Sequence, residues 1–180
     1  MSARTVLQQA DIARALTRIS HEILESNRGA GDLVVLGIPT RGALLATRIQ
    51  ALLEGIEPGS AVVGSLDVTM YRDDLARQPT RAPGRTAIPA GGVGGRTVVL
   101  VDDVLYSGRT IRAALDAIGD LGRPRAVRLA VLVDRGHREL PIRADFVGKN
   151  LPSATTERIN VRLAELDGID DVTISEGADG

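Results

Sequence analysis

Two adjacent carboxylates, Asp102 and Asp103, follow an apolar run at residues 98–101 and precede a turn of small residues at 107–110. Carboxylate oxygens accept hydrogen bonds, so the pair could hold the two hydroxyl groups of a ribose. The backbone N–H groups of the turn could converge on a phosphate. A helix predicted over about 110–119 directs the positive end of its dipole at the same point. The segment therefore predicts both halves of a ribose 5-phosphate site.

Strand–loop–helix units are common, so this pattern alone also fits a loop that binds nothing. The sequence contains neither the Walker A string Gly-x-x-x-x-Gly-Lys-Ser/Thr nor a Gly-x-Gly-x-x-Gly fingerprint after a strand. The segment instead resembles the phosphoribosyl-pyrophosphate (PRPP) signature of type I phosphoribosyltransferases. That signature has four hydrophobic residues, two acidic residues and a small-residue run that ends in Gly-x-Thr.

Periodicity predicts strands and helices that alternate along the chain. The apolar stripe of Ile12, Leu16, Ile19 and Ile23 predicts a helix over about 10–28. Further helices are predicted over residues 43–53 and 110–119, and strands over 33–38, 61–69, 98–101, 126–133, 144–147, 159–163 and 172–174. This alternation predicts an α/β fold with a doubly wound, mostly parallel sheet flanked by helices.

Three loops follow predicted strands, at residues 39–42, 102–110 and 134–138. In an open parallel sheet the carboxyl ends of the strands share one edge, so we expect these loops to converge on one cleft. The stretch 71–95 has no clear periodicity. We interpret it as a flexible lid that closes over a bound substrate, with a floppy hairpin as the alternative.

Composition limits the class of protein. The 180 residues, 43% of them hydrophobic, fit a single domain over 1–180, with a frayed tail expected at about 176–180. The absence of cysteine excludes disulfides and thiolate zinc sites. No apolar run has the length of a membrane span and no signal peptide is apparent, so we expect a cytoplasmic protein. The net charge of −1 excludes a generic polyanion binder but leaves a local basic face open.

Five strings extend the resemblance to nearly the whole chain, from about Leu7 to Leu166. They are residues 15–19, 40–42, 71–75, 101–110 and 132–145, the last of which is the most specific. Together they are similar to the PyrR family, bacterial pyrimidine-operon regulators that are also uracil phosphoribosyltransferases. The resemblance implies the type I phosphoribosyltransferase fold, with a flexible lid loop and a small hood element.

The resemblance implies the reaction of uracil with PRPP to give UMP and pyrophosphate. Mg2+ would be carried mainly on the PRPP, with Asp102 and Asp103 as candidate direct ligands. The implied catalytic residues are Asp102, Asp103 and Arg72. The implied PRPP- and UMP-binding residues are Thr40, Arg41, Gly42, Asp102, Asp103, Val104, Leu105, Tyr106, Ser107, Gly108, Arg109 and Thr110. The uracil base would lie at the strand end formed by Val133, Asp134 and Arg135.

The second implied activity is binding of the pyr operon leader mRNA when UMP is bound. The matching positions are Thr17, Arg18, His21, His137, Arg138, Arg143 and Lys149. Without the resemblance, these residues would be interpreted as a solvated helix face and a charged loop. Ser26 replaces a basic residue often found in the family, a change that weakens the expected RNA contact. UTP is a further candidate ligand, a homodimer or higher homo-oligomer is expected, and neither a membrane nor DNA is expected as a partner.

Three alternatives remain open at this point. The chain could be a salvage phosphoribosyltransferase without an RNA role, or one that uses another base, or an RNA regulator that retains the nucleotide site only as a sensor. The intact Asp102–Asp103 pair argues against lost catalysis, although a sensor could keep the same groups. The sequence does not distinguish transcription attenuation from translational repression.

Overall fold

The computed structural model describes residues 2–59, 61–73 and 86–177. In chain order the elements are β1 (Arg4–Gln8), α1 (Gln9–Asn27), β2 (Leu33–Gly37), α2 (Arg41–Ile56), β3 (Val62–Ser65), a 3-10 turn (Thr69–Tyr71), β4 (Thr97–Leu105), α3 (Arg109–Leu121), β5 (Ala126–Asp134), β6 (Phe146–Asn150), β7 (Glu157–Arg162), α4 (Ala164–Asp167) and β8 (Asp171–Glu176). No helix in the part of the chain that the structure describes is long and apolar enough to cross a membrane.

Five strands form the central sheet in the order β3-β2-β4-β5-β6, and every neighbouring pair is parallel. This arrangement confirms the predicted doubly wound sheet. The chain winds outward in one direction from β2 to β3 and in the other from β4 through β5 to β6. The direction therefore reverses between β2 and β4, and ligands of such sheets bind at the carboxyl ends of the strands that flank that point.

Side chains on opposite faces of the sheet build two aliphatic cores. On β2, Val35 packs with Ile19 and Ile49 from α1 and α2, whereas Val34 packs with Ala114 from α3. Successive strand residues point to opposite faces, so a strand that is covered on both sides contains uninterrupted apolar residues. This burial explains why β2, with the sequence Leu-Val-Val-Leu-Gly, is buried along its whole length.

A second, antiparallel sheet has the strand order β1-β8-β7. Together with α4 it forms a small element, here called the hood, which corresponds to the hood that the resemblance implied. The predicted strands at 159–163 and 172–174 are found as β7 and β8, and β1 was not predicted. Its sequence Arg-Thr-Val-Leu-Gln has two apolar residues, and it pairs with β8 at the far end of the chain.

Several element boundaries differ from the prediction, and the strand predicted over 61–69 ends at Ser65. Strand β4 continues through the acidic pair to Leu105, because Asp102 pairs with Val131 of β5 and Val104 pairs with Val133. The prediction that the strand ends before the carboxylates was therefore wrong. The strand predicted over 144–147 begins two residues later, at Phe146.

Two expected mobile segments lie partly outside the described residues. The expected lid covers residues 71–95, of which 74–85 are not described, while Ala87 forms an antiparallel bridge with Ser65. The expected tail begins at Glu176, which is the last residue of β8 and pairs with Glu157. Residues 178–180 of that tail lie outside the described part of the chain.

Candidate active site

The loop after β2 lies directly against β4. A Cβ atom added to Gly42 would lie 2.6 Å from the carbonyl oxygen of Val101, so any other residue would push the loop away from the strand. The backbone of the same loop is tied to β4 by the Ile38 amide, which donates to the Val101 carbonyl at 2.9 Å. The peptide bond between Pro39 and Thr40 is cis. This close approach places Thr40, Arg41 and Gly42, which the resemblance implies as the pyrophosphate loop, beside the acidic pair.

Arg41, at the start of α2, contacts the hood. Its guanidinium donates to both carboxylate oxygens of Asp167, at 2.9 and 3.1 Å. Its Nε is buried and has no hydrogen-bond partner among the described residues. Arg41, Asp103 and Asp167 line a cavity of about 520 Å3 together with Arg162 of β7. The cavity therefore lies between the pyrophosphate loop and the hood, with two guanidinium groups on its wall.

The two carboxylates of the acidic pair line different cavities. Asp103 lines the 520 Å3 cavity beneath the hood, whereas Asp102 lines a neighbouring cavity of about 240 Å3 beside the turn at 104–110. Alternation along β4 explains the difference, because adjacent side chains of a strand point to opposite faces. The structure therefore assigns the pair to adjoining parts of the cleft, which the sequence did not distinguish.

The turn after β4 builds the wall of the smaller cavity. Gly108 has φ +92°, a left-handed conformation that glycine adopts without strain, and α3 begins at the next residue. The Arg109 amide donates to the Ser107 hydroxyl at 3.3 Å. Arg72 and Asp73, at the start of the expected lid, line the cavity from the other side. The turn and the helix N-terminus therefore have the form of a phosphate-binding loop, and residues 105–110 are called the phosphate loop below.

Burial controls the protonation of Asp102. The residue is 9% exposed, and its carboxylate accepts a hydrogen bond from the Asp103 amide at 2.8 Å. Removal from water raises the pKa of the Asp102 carboxyl well above its ordinary value, and the neighbouring charge of Asp103 raises it further. Asp103 is less buried and faces the larger cavity. Asp103 is therefore the member of the pair better placed to offer a charge to a ligand.

We expect Asp102→Asn to raise the melting temperature at neutral pH. The raised pKa means that the folded chain binds more protons than the unfolded chain above the unfolded pKa, so wild-type stability falls as pH rises through the folded pKa. Asn cannot ionise but can still accept the Asp103 amide. Thermal unfolding from pH 4 to 8 should show that the increase in melting temperature over wild type becomes smaller as the pH falls. The increase should be about 2–4 °C for each kcal/mol of added stability. Asp116→Asn, at an exposed position of α3, is the matched control, and a variant no more stable than wild type at neutral pH would contradict the effect.

The predicted base-binding residues are engaged within the protein. Val133 is fully buried in the sheet, so only its backbone could reach a ligand. The Arg135 guanidinium donates to the Ser153 hydroxyl and to two backbone carbonyls, those of Ala154 and Glu157. It also lies 4.4 Å from the centre of the Tyr106 ring. Arg135 therefore links the phosphate loop to the connection that leads into the hood, a role that the sequence did not indicate.

Four of the predicted RNA-binding residues lie on one surface. Thr17, Arg18 and His21 are exposed on α1, and Lys149 is exposed on the adjoining edge strand β6. Arg18 joins the two elements, because its guanidinium donates to the carbonyls of Val147 and Gly148 at 3.1 and 2.7 Å. This group of four residues is called the α1–β6 surface below.

The other three predicted RNA-binding residues precede β6 in the chain, on the connection from β5. His137 and Arg143 are exposed on the segment between β5 and β6, where the His137 ring contacts the Ser153 carbonyl. Arg138 is half-buried and donates to the carbonyls of Ile142 and Tyr106 and to the Asp134 carboxylate. Its guanidinium is thus engaged between the loops, and the structure gives it a positioning role.

Sequence reasoning missed a group of ion pairs around the site. Arg109, expected to bind phosphate, donates to Asp73 at 2.6 Å and to Glu139 at 2.9 Å. Asp167 was also missed, although it binds Arg41. Each pair joins residues at least 30 positions apart, so no local periodicity could have revealed them.

The comparisons with known proteins agree on the family. Residues 2–166 match the phosphoribosyl transferase domain family. A protein of Leifsonia xyli named Bifunctional protein PyrR is 72% identical over 98% of this chain and 99% of its own. One of the same name from Streptomyces coelicolor is 66% identical over 96% of this chain and 89% of its own.

Solved structures agree on the fold. A hypoxanthine-guanine phosphoribosyltransferase from Bacillus anthracis has a TM-score of 0.72 at 17% identity, covering 96% of this chain and 98% of its own. The enzyme from Leishmania tarentolae in complex with GMP has a TM-score of 0.70 at 18% identity, with 98% of both chains covered. Because these sequence identities are low, the two structures are evidence for the fold alone. The family match and the PyrR relatives show that the chain belongs to the phosphoribosyltransferase family and, within it, to the PyrR family.

Proposed function

We propose that this protein converts uracil and PRPP into UMP and pyrophosphate, and that it binds a pyrimidine-operon leader RNA when UMP is bound. The observation that carries the proposal is the convergence of two loops and an acidic pair at the switch point of the sheet. It occurs in a chain that matches proteins named Bifunctional protein PyrR along almost its whole length.

The residues present suit a reaction that needs electrostatic stabilisation rather than a nucleophile. Cleavage of the bond between ribose C1 and pyrophosphate places positive charge on the sugar ring. The Asp103 carboxylate, in the larger cavity, would stabilise that charge while the acidic pair accepts hydrogen bonds from the ribose hydroxyls. Arg72, at the start of the expected lid, would help to exclude water from the reacting centre.

PRPP carries a phosphate at one end and a pyrophosphate at the other, and each could be bound by a different loop of the site. The phosphate loop would hold the 5-phosphate by its amide N–H groups and the N-terminus of α3. Thr40, Arg41 and Gly42 would hold the pyrophosphate, with Arg41 exchanging its Asp167 partner for a phosphate oxygen. Arg41 binds Asp167 through one nitrogen, Nη2, and a phosphate oxygen can accept a charge-assisted hydrogen bond from that nitrogen in place of the carboxylate.

The carboxylate set fits Mg2+ that arrives on the substrate. Mg2+ is commonly bound by one or two carboxylates together with substrate phosphates, and Asp102 and Asp103 supply two carboxylates. Among residues 2–59, 61–73 and 86–177, no group of three or more His, Cys, Asp or Glu side chains could hold a metal ion. When bound, the ion would neutralise pyrophosphate charge, and the protein residues would orient the ribose.

The base is proposed to lie at the carboxyl end of β5. There Asp134, Arg135 and Gly136 border a cavity of about 470 Å3. The Asp134 carboxylate accepts the Gly136 amide at 3.0 Å and the Arg138 guanidinium, so this turn is rigidly held. Backbone groups of a rigid turn can read the hydrogen-bonding edge of a uracil without side-chain rearrangement.

The RNA-binding proposal rests on a local concentration of exposed polar and basic groups. Lys149 and Arg18 belong to the α1–β6 surface, although Arg18 also pairs with Glu22 at 2.9 Å. Binding of RNA by such a surface combines phosphate contacts from Lys and Arg with contacts to unstacked bases. The overall charge of −1 requires this basic surface to be local.

The test of the proposed function has two arms with the same purified protein. We expect UMP and pyrophosphate to form from uracil and PRPP in the presence of Mg2+, with hypoxanthine as the comparison base. We expect UMP to tighten binding of a pyrimidine-operon leader RNA at one fixed salt concentration. UMP synthesis without RNA binding would leave a salvage enzyme, and UMP-enhanced RNA binding without turnover would leave a sensor.

A further inference from the structure

One short segment holds two consecutive carbonyl groups of the phosphate loop. The Tyr106 carbonyl accepts a hydrogen bond from the Arg138 guanidinium at 2.7 Å. The Ser107 carbonyl accepts two, from the amides of Glu139 at 2.9 Å and Leu140 at 3.2 Å. Residues 138–140, here called the clamp segment, therefore fix the orientation of two adjacent peptide units in the loop.

The orientation of those carbonyls also fixes two amides. A trans peptide unit carries its C=O and its N–H on opposite sides. The unit that contains the Tyr106 carbonyl also contains the Ser107 amide, and the unit that contains the Ser107 carbonyl also contains the Gly108 amide. Since both carbonyls are directed at the clamp segment, both N–H groups are directed away from it. Ser107 and Gly108 line the 240 Å3 cavity, where a phosphate would accept these hydrogen bonds.

Further contacts join the loop to the residues around the clamp segment. The Glu139 carboxylate accepts a hydrogen bond from Arg109 at 2.9 Å. A Cβ atom added to Gly108 would lie 3.0 Å from the side chain of Ile142, so the two backbones are closely packed. The rings of Tyr106 and His137 meet edge to face with centres 5.9 Å apart. The phosphate loop and residues 137–142 therefore form one packed unit.

We propose that a bound 5-phosphate stabilises the clamp segment through these two peptide units, and that UMP occupancy thereby reaches the exposed residues His137 and Arg143 on either side of it. This inference rests on the proposed function, and it specifies how the nucleotide site is connected to the residues that would contact RNA. A phosphate that accepts a hydrogen bond from the N–H of a peptide unit polarises the unit, which makes its carbonyl a stronger acceptor. The effect is reciprocal, so RNA that binds the clamp segment in this arrangement raises the affinity for UMP by the same factor.

Hydrogen–deuterium exchange of the full chain tests the inference with three probes. UMP and ribose 5-phosphate are expected to slow exchange of the Glu139 and Leu140 amides by at least about fivefold. Uridine, which lacks the phosphate, is expected to leave them unchanged. Slowing confined to residues 104–110, or equal slowing by uridine and UMP, would overturn the inference.

Variants of the clamp segment provide a second measurement. Arg138→Ala removes the donor to the Tyr106 carbonyl and is expected to raise the Kd for ribose 5-phosphate about tenfold. Arg112→Ala, which removes an exposed guanidinium on α3, is the matched control and should leave it unchanged. An unchanged Kd in folded Arg138→Ala would contradict the proposed orientation of the loop.

Glu139→Gln keeps the test decisive if Arg138→Ala does not fold. The Glu139 side chain is 54% exposed, so its replacement leaves the core intact, while the negative charge of its ion pair with Arg109 is lost. We expect the UMP-induced slowing of exchange at the Leu140 amide to fall about twofold, because an exposed ion pair contributes little free energy. Slowing at Leu140 equal to that of the wild type would count against the coupling.

Failure of the proposed function gives a different result from failure of the coupling. If UMP slows no exchange in residues 104–110 while ribose 5-phosphate slows both the loop and the clamp segment, the coupling stands and the nucleotide assignment falls. If UMP slows the loop alone, the nucleotide assignment stands and the coupling falls.

Discussion

Replacement of Asp103 by Asn is expected to lower kcat for UMP synthesis by roughly 100- to 1,000-fold, the usual effect of removing one oriented electrostatic group. Asp103 lines the cavity between the pyrophosphate loop and the hood, where its charge would face the ribose carbon that becomes positive. Asn has the same shape, and its side-chain oxygen can still accept the Val104 amide, which Asp103 binds at 2.8 Å. The loss should therefore reflect the missing charge rather than a disturbed strand.

Steady-state kinetics at saturating uracil and PRPP, with the melting temperature recorded for each variant, measure this effect. Asp116→Asn makes the same chemical change at an exposed position of α3 and should alter kcat less than about twofold. If Asp103→Asn kept more than about a tenth of wild-type turnover, the electrostatic role assigned to this carboxylate would be wrong.

The convergence of the loops could be predicted because it follows from local rules. Apolar runs at β2, β4 and β5 predicted buried strands, and parallel strands place their carboxyl ends at one edge. The boundary of β4 could not be predicted, because Asp102 and Asp103 are poor strand formers and the strand continues through the pairing of Asp102 and Val104 with β5. The hood strand β1 was missed for a similar reason. Arg4 pairs with Ile174, and a pattern of five residues cannot predict a strand partner so distant in the chain.

The partners of the arginines could not be predicted at all. Arg41, Arg109, Arg135 and Arg138 were each assigned to a ligand or to RNA, and each is engaged by acceptors of the protein itself. A guanidinium has five donors, and sequence spacing does not show which carbonyls and carboxylates the fold brings within reach. Arg138 is the clearest example, since it binds both the phosphate loop and the turn after β5.

Joint replacement of Arg143 and Lys149 by Ala is expected to weaken binding of leader RNA roughly 100-fold, about tenfold for each charged contact, and to leave UMP synthesis unchanged. Both side chains are exposed and lie outside the cavities lined by the acidic pair. Two lost phosphate contacts should also reduce the slope of log K against log salt by about 1.4 for single-stranded RNA. Arg112→Ala with Arg158→Ala removes two exposed cations from α3 and β7 as the matched control. An unchanged salt slope, or an equal loss of UMP synthesis, would show that RNA binds to a different face, because only a phosphate-contacting surface loses affinity and salt dependence together.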